Sequence, residues 1–343
     1  MARVARPALA CALACGALGV SACGSSGEPG SENEPETEGI TLYSGRIAPL
    51  IGPVIDEYEA EADRDVQVRF GDSGALAATL LEEGENSPAD VFFTQDAGSI
   101  GAIDDAGLLE PLPEDVLAKV PERFRADDGT WVGVSARSRI IAYGSGVEVS
   151  ELPESPLELV EPEWRGRVGW APTNASLQGY VTALRQVEGE DVAREWLEGM
   201  VANDVQVYDS NVPVRDAIAS GEIDVGLINH YYVAEAIEQE GPDYPVEIYF
   251  PPDDLGSLVN TTAVGVLASS ERKDEALDFI RHLLSRPGQE YFAESSKEYA
   301  LIDGVEPDPS LPPLAEIPAP EVDLSNLDDV QGTIELMQET GAL

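Results

Sequence analysis

A strand–helix alternation that runs from Ile40 to Ala106 and starts again at Arg167 restricts the fold more than any other feature of the chain. Ile40–Tyr43 reads as a strand ending in the turn Ser44-Gly45, and Leu50, Ile51, Val54, Ile55 and Tyr58 then fall at helical spacing. Val66, Val68 and Phe70 alternate with polar residues as a returning strand, and a second helix carries Leu76, Leu80 and Leu81. Asp90–Thr94 and Gly98–Ala106 repeat the unit. In the second run, Arg167–Ala171, Val205–Tyr208 and Ile223–Ile228 read as strands, with helices at Ser176–Val187, Val192–Ala202 and Val214–Ser220. Such alternation implies mainly parallel sheets with helices on both faces.

Two β-rich segments, Trp131–Tyr143 and Leu258–Leu267, exceed an ordinary strand in length, as strands serving two sheets would. Beyond residue 268 the pattern is helical, and a Pro-rich stretch from Asp303 to Pro320 leads to a last helix, Leu327–Thr340, ended by Gly341. Two α/β lobes joined by crossing strands leave a cleft where strand ends face one another, the usual place for a ligand in open sheets. The expected division is residues 39–136 plus 265–312 for the first lobe and 137–264 plus 313–343 for the second.

The N-terminus reads as an export signal. Arg3 and Arg6 precede an apolar run from Pro7 to Val20, too short to span a membrane but suited to a signal peptide over residues 1–22. The run ends in Val20-Ser21-Ala22-Cys23, which resembles a bacterial lipobox. Cleavage there removes Cys11 and Cys15 and leaves Cys23 alone, so no internal disulfide is possible and Cys23 is the expected lipidation site. Residues 24–38 carry no aliphatic or aromatic side chain and read as a disordered tether with a reach of roughly 20–25 Å. The expected location is the outer face of the bacterial cytoplasmic membrane, or the periplasm.

Sixty-five acidic residues against twenty Lys and Arg give a net charge of −45, which phosphate backbones would repel, so nucleic acid is a poor partner. Only two histidines are present, His230 and His282, which thins out His-based zinc sites and most catalytic triads. The mature chain has no G-x-S-x-G, P-loop, H-E-x-x-H or C-x-x-C sequence. No enzymatic activity is expected, although an exported acidic hydrolase using a carboxylate pair is a different-class alternative. An adhesin is a third.

At the end of one predicted strand stands Leu227-Ile228-Asn229-His230-Tyr231-Tyr232, two adjacent tyrosines where a strand passes into a helix. Such a pair reads either as aromatic packing that caps the core of the second lobe or as a metal site; were the metal ferric ion, a small, hard acid, it would favour anionic oxygen. A phenol with a pKa of about 10 is protonated at neutral pH, but a trivalent cation can displace the proton. Two phenolates would neutralise two of its three charges, and a first tyrosine lying outside the helix would let both oxygens converge on one ion. His230 beside them reads as structural.

The same segment resembles the periplasmic ferric-ion-binding proteins of bacterial iron ABC importers. So do Ile40–Arg46 (ITLYSGR), Ser87–Phe93 (SPADVFF), Ala106–Leu109, Gly133–Arg139 (GVSARSR), Trp164–Gly169 (WRGRVG) and Gly265–Leu267, in order and spacing from residue 39 to the C-terminus. The resemblance implies a two-lobed periplasmic-binding-protein fold of type II-like topology with a hinged cleft, acting as a monomer. It implies Tyr231 and Tyr232 as metal ligands, Fe3+ as the transported ligand and a synergistic anion such as carbonate or phosphate. The anion would be held by Arg137, Asn174, Ser176, Asn211 and Asn229, and an ABC permease would be the partner. Physical chemistry agrees in part: Asn174-Ala175-Ser176 precedes a helix whose amides favour an anion, and Arg137 supplies a rigid fork.

The chain departs from the family at two first-lobe positions. Ile47 stands where many members carry histidine, and Gln95 where many carry glutamate. The vacated coordination sites would be filled by anion, water or chelator, or by Tyr43 or Tyr180. The alternative ligand classes for the same fold are an iron chelate, an organic anion or a polyamine.

Overall fold

The computed structural model describes residues 39–343 other than 325, 326 and 328; the leader, Cys23 and the tether lie outside them. Strand β1 (Gly39–Ser44), helix α1 (Ala48–Ala62) and strand β2 (Asp65–Phe70) form the first crossover, with β1 and β2 parallel from Gly39↔Asp65 to Ser44↔Phe70. The helical stripe of α1 buries Ile51, Val54, Ile55 and Tyr58. Helix α2 (Ser73–Glu83) leads to β3 (Val91–Thr94), parallel to β1 on its other side. Leu76 and Leu80 of α2 are buried, but Leu81 is exposed because one further residue rotates it about 100° off their face. Helix α3 (Ala97–Asp105), β4 (Leu109–Glu110) and α4 (Glu114–Leu117) complete this half.

Strand β5 (Trp131–Gly144) then crosses the molecule. The second half holds β6 (Val168–Trp170), α5 (Ala175–Val187), α6 (Glu190–Ala202), β7 (Gln206–Val207), α7 (Asn211–Ser220), β8 (Val225–Asn229), α8 (Tyr231–Glu240) and β9 (Val246–Tyr249). The chain returns through β10 (Val259–Leu267), α9 (Lys273–Leu283), α10 (Arg286–Ser295) and β11 (Tyr299–Ala300), and ends in α11 (Val330–Glu339).

The strand order is β2-β1-β3-β10-β5-β8-β6-β7. Pairing is parallel within the crossover units and antiparallel along β5 and β10, so the sheets are mixed. The first part of β5 pairs with β10 and β11, and Arg139 to Gly144 pairs with β8 and β9. One long strand therefore serves both halves. Among the described residues, the second expected two-sheet strand, β10, pairs only with β3, β4 and β5. It has no residues left to go further, because a 3-10 turn at Leu255–Ser257 precedes it and the Ser257 carbonyl accepts Ser138 Oγ.

Helix starts cluster at the C-terminal ends of the parallel strands. Asp72 caps α2 through Gly74 and Ala75, Asp96 caps α3 through Ser99, and Asn174 caps α5 through Ser176. These caps put helix N-termini along the edge where the strands of both halves end. The last helix begins at Val330 rather than Leu327, where Asp329 accepts from the Gly332 amide.

Candidate functional site

The tyrosine pair is built by the β8–α8 junction. Asn229 ends the strand and His230 is already in helical conformation, so Tyr231 and Tyr232 are the first two residues of α8. Both are helical, so their convergence does not come from a first tyrosine outside the helix. Their rings nevertheless converge, with centroids 4.4 Å apart and phenol oxygens 3.4 Å apart. Side chains in a first turn lean back past the helix end, which brings both oxygens to the strand's exit. Phenolate charge there also meets the positive end of the helix dipole.

Tyr231 is buried, and burial raises its pKa above the ordinary phenol value, with Tyr232 adding and Arg137 opposing. Asn229 Nδ2 donates to Tyr231 Oη (3.2 Å) and to Ser176 Oγ (3.0 Å). Ser176 Oγ also receives Arg137 Nε at 3.3 Å. Arg139 Nη1 donates to Asn229 Oδ1 (3.1 Å) and Nη2 to the Leu227 carbonyl (2.6 Å).

Alternation along β5 explains this order: Ser135, Arg137 and Arg139 share one face of the strand. The GVSARSR sequence thus lays a buried polar stripe under the phenols. Burial lowers the pKa of Arg139 to about 10 and lowers that of Arg137. Arg137 is the unusual member. Its Nη1 and Nη2 are buried and have no hydrogen-bond partner.

The remaining sequence candidates fall as follows. Asn174 spends its side-chain oxygen on the Ser176 amide. Asn211 opens α7, is buried, and has neither amide atom partnered. One turn on, Arg215 Nη1 donates to the Tyr232 carbonyl, which sets Asn211 on the helix face turned to α8. Asn229 has no amide proton left for an anion and instead organises Tyr231 and Ser176. Tyr43 is committed elsewhere, donating to Glu83 and accepting Arg69 Nη1 at 2.9 Å. Tyr180 packs edge-on against Trp196 with its hydroxyl unpartnered, and is not bonded to the pair. Ile47 is 60% exposed, and Gln95 is half-buried. A cavity of about 360 Å³ between α2, α3, α5 and α11 is lined by Asp96 and Asn260 and contains neither phenol.

His230 is structural, as expected. Its Nδ1 accepts the Ser138 amide (3.1 Å), which leaves Nε2–H to donate to the Lys297 carbonyl (2.9 Å). Burial lowers its pKa to about 4. The folded protein therefore binds fewer protons than the unfolded chain between pH 4 and 6.5. The stability this neutral ring contributes is full above pH 6.5 and is lost as pH falls toward 4, by about 3 kcal/mol in all. In thermal melts of the metal-free protein, His230→Gln should flatten the pH dependence in that window; an unchanged slope would refute the assignment.

Sequence reasoning passed over Arg139, Arg46 and Glu298 as site residues. Arg139 was legible from alternation two residues after Arg137. Arg46 Nη2 pairs with Glu298 Oε2 at 2.8 Å, both buried, and Glu298 lies 252 residues away with no local signal.

A strand shared by two sheets, with helix N-termini and buried polar side chains gathered at the strand ends, defines a binding protein of the extracytoplasmic solute-capture kind. The chain belongs to the bacterial extracellular solute-binding protein family, whose model matches residues 86–324. It is 34% identical over 318 residues to the Fe(3+)-binding periplasmic protein of Serratia marcescens, covering 92% of this chain and 94% of that one. It is 31% identical to the major ferric iron-binding protein of Neisseria meningitidis serogroup B, covering 90% and 94%. Among solved structures, iron-bound HitA from Pseudomonas aeruginosa superposes with a TM-score of 0.83 at 32% identity, covering 88% of this chain and 99% of that one. The periplasmic binding protein AfuA of Actinobacillus pleuropneumoniae shares the fold, with a TM-score of 0.74 at 19% identity, covering 89% of this chain and 99% of that one.

Proposed function

We propose that this chain captures ferric iron between two α/β lobes and delivers it to an ABC permease while tethered to the membrane through lipidated Cys23. The carrying observation is the pair of phenol oxygens 3.4 Å apart at the start of α8, beside a buried guanidinium with two unpartnered nitrogens. Relatives that cover nine-tenths of the chain are ferric-iron-binding proteins by name, which supports the same cargo here.

The phenols suit the metal, and Arg137 suits the anion that completes its shell. Among the described residues no group of three or more His, Cys, Asp or Glu could hold a metal ion, so a metal in this cleft would rest on the phenols and an anion. The lobes are residues 39–136 plus 265–312 and 137–264 plus 313–343. Closure around the ion and opening at the permease would be a hinge motion about β5. The protein acts as a monomer. Its acidic surface concentrates cations without forming the site.

Titration of the domain from Ser25 with ferric iron in bicarbonate tests this reading. The expected result is a visible tyrosinate-to-iron band saturating at one ion per chain. Absence of the band with every anion tried would overturn the free-iron reading and turn attention to an iron chelate.

A further inference from the structure

Helix α8 carries both phenols, and one residue far off in the chain holds it at two places. Lys297 stands in the turn between α10 and β11 with φ 54°, the left-handed region, just past the end of α10 where glycine usually closes a helix. A lysine there bears a backbone strain that glycine would escape, so its side chain has to offset it. That side chain is only 5% exposed. Its Nζ meets Glu238 Oε1 at 3.0 Å, Asp308 Oδ2 at 3.1 Å and the Glu294 carbonyl at 2.7 Å. Glu294 and Asp308 are near neighbours of Lys297 in the chain and fix its ammonium. Glu238 comes from α8, two turns beyond Tyr231.

The second hold is at the start of the same helix. The Lys297 carbonyl accepts His230 Nε2–H at 2.9 Å, and the ring of Tyr299, two residues on, stacks on the imidazole with centroids 4.8 Å apart. His230 leads directly into Tyr231, and its Nδ1 takes the Ser138 amide of β5, so the ring is held from both sides. His230 and Glu238 are separated by about 12 Å along the helix axis, from the usual rise per residue. A helix attached at one point can pivot, whereas two points so far apart fix its direction. A tilt of α8 would leave the phenols facing each other but would carry them off Asn229 and the strand ends.

We propose that Lys297 is a positioning residue for metal capture: its carbonyl and its ammonium together set the direction of α8 and so place Tyr231 and Tyr232 at the strand ends before an ion arrives. This role rests on the iron reading for its use, while the placement itself exists without iron. The two carboxylates that hold the ammonium differ in what they do. Asp308 is 18% exposed and anchors Lys297 to its own stretch of chain; Glu238 is 62% exposed, so its pair adds little to stability but is the arm that reaches α8. Stability and iron affinity should therefore respond to the two carboxylates in opposite order.

Chelator competition on the domain from Ser25, read through the visible band, with urea midpoints measured alongside, tests this. Glu238→Gln should weaken iron about three- to fivefold, the worth of one partly exposed pair, and lower the midpoint less than Asp308→Asn does. Asp308→Asn should leave iron affinity unchanged. Glu240→Gln, which removes another exposed charge from α8, should change neither. Lys297→Met keeps the backbone strain and loses the ammonium, and should weaken iron about tenfold, as loss of a charged hydrogen-bond donor does. In the metal-free domain labelled with 3-fluorotyrosine, the fluorine signals of Tyr231 and Tyr232, assigned through their Phe variants, should move in Glu238→Gln and Lys297→Met and stay in place in Asp308→Asn. Signals unmoved in Glu238→Gln, or an affinity loss in Asp308→Asn as large as in Glu238→Gln, would make Lys297 a stabilising residue only and overturn the proposal. An unaltered domain with no iron band sinks the iron reading instead, and the fluorine signals then decide the placement alone.

Discussion

Replacing Tyr231 by Phe should lower ferric-iron affinity by on the order of a thousandfold or more, and replacing Tyr232 should cost less. A unit charge pair about 4 Å apart at an effective dielectric near 20 is worth about 4 kcal/mol, roughly three decades of affinity, before the ion's higher charge is counted. Both variants remove one phenolate. Only Tyr231→Phe also takes from the buried Asn229 Nδ2 one of its two acceptors, and Asn229 is the residue that ties Arg139 and Ser176 to the pair. The hydroxyl of Tyr232, a half-buried residue at the second position of α8, meets its neighbour's hydroxyl and does not touch Asn229. Competition against a ferric chelator, read through the visible band, gives both affinities. Equal and small losses would remove the pair from the metal.

The fold was legible because each crossover carries its own local signals. Asp72, Asp96 and Asn174 mark helix starts, and the stripe Ile51, Val54, Ile55 and Tyr58 turns α1 onto the sheet. The short strands β4, β9 and β11 were not, since they stand outside the strand–helix alternation that marks β3, β6 and β7 and exist through their partners β10 and β5. That β10 would stay on one side of the molecule was also hidden, because Leu258–Leu267 has the same apolar composition as β5 and the turn before it is a tertiary matter.

The site divided in the same way. Tyr231, Tyr232 and Arg137 stand in short motifs, and the fold brings the two phenols together and joins Arg137 to Ser176 beside them. Asn229 was expected to donate to an anion, and the sequence does not show that both its amide protons go to Ser176 and Tyr231. Glu298 could not be found, because its meaning comes from Arg46 and Ser135, which are far off in the chain and meet it only after folding.

Arg137→Met should stabilise the iron-free domain while abolishing its anion-dependent uptake of iron. Arg137 is a buried cation whose Nη atoms meet no protein acceptor and whose pKa burial has already lowered. The one hydrogen bond its side chain makes among the described residues, Nε to Ser176 Oγ, is long at 3.3 Å, and Ser176 keeps Asn229 when it is gone. Removing one partner of a hydrogen-bonded ion pair destabilises a protein, but here the guanidinium touches no carboxylate directly, and an apolar side chain of similar length avoids its desolvation cost. The gain should be on the order of 1–4 kcal/mol, seen as a higher midpoint in urea at unchanged slope. Excess phosphate should reverse the ranking, stabilising the unaltered domain by mass action and leaving Arg137→Met where it was. A variant less stable than its parent in phosphate-free buffer would mean that Arg137 is held by the protein itself, and the case for an external anion at this point would fail with it.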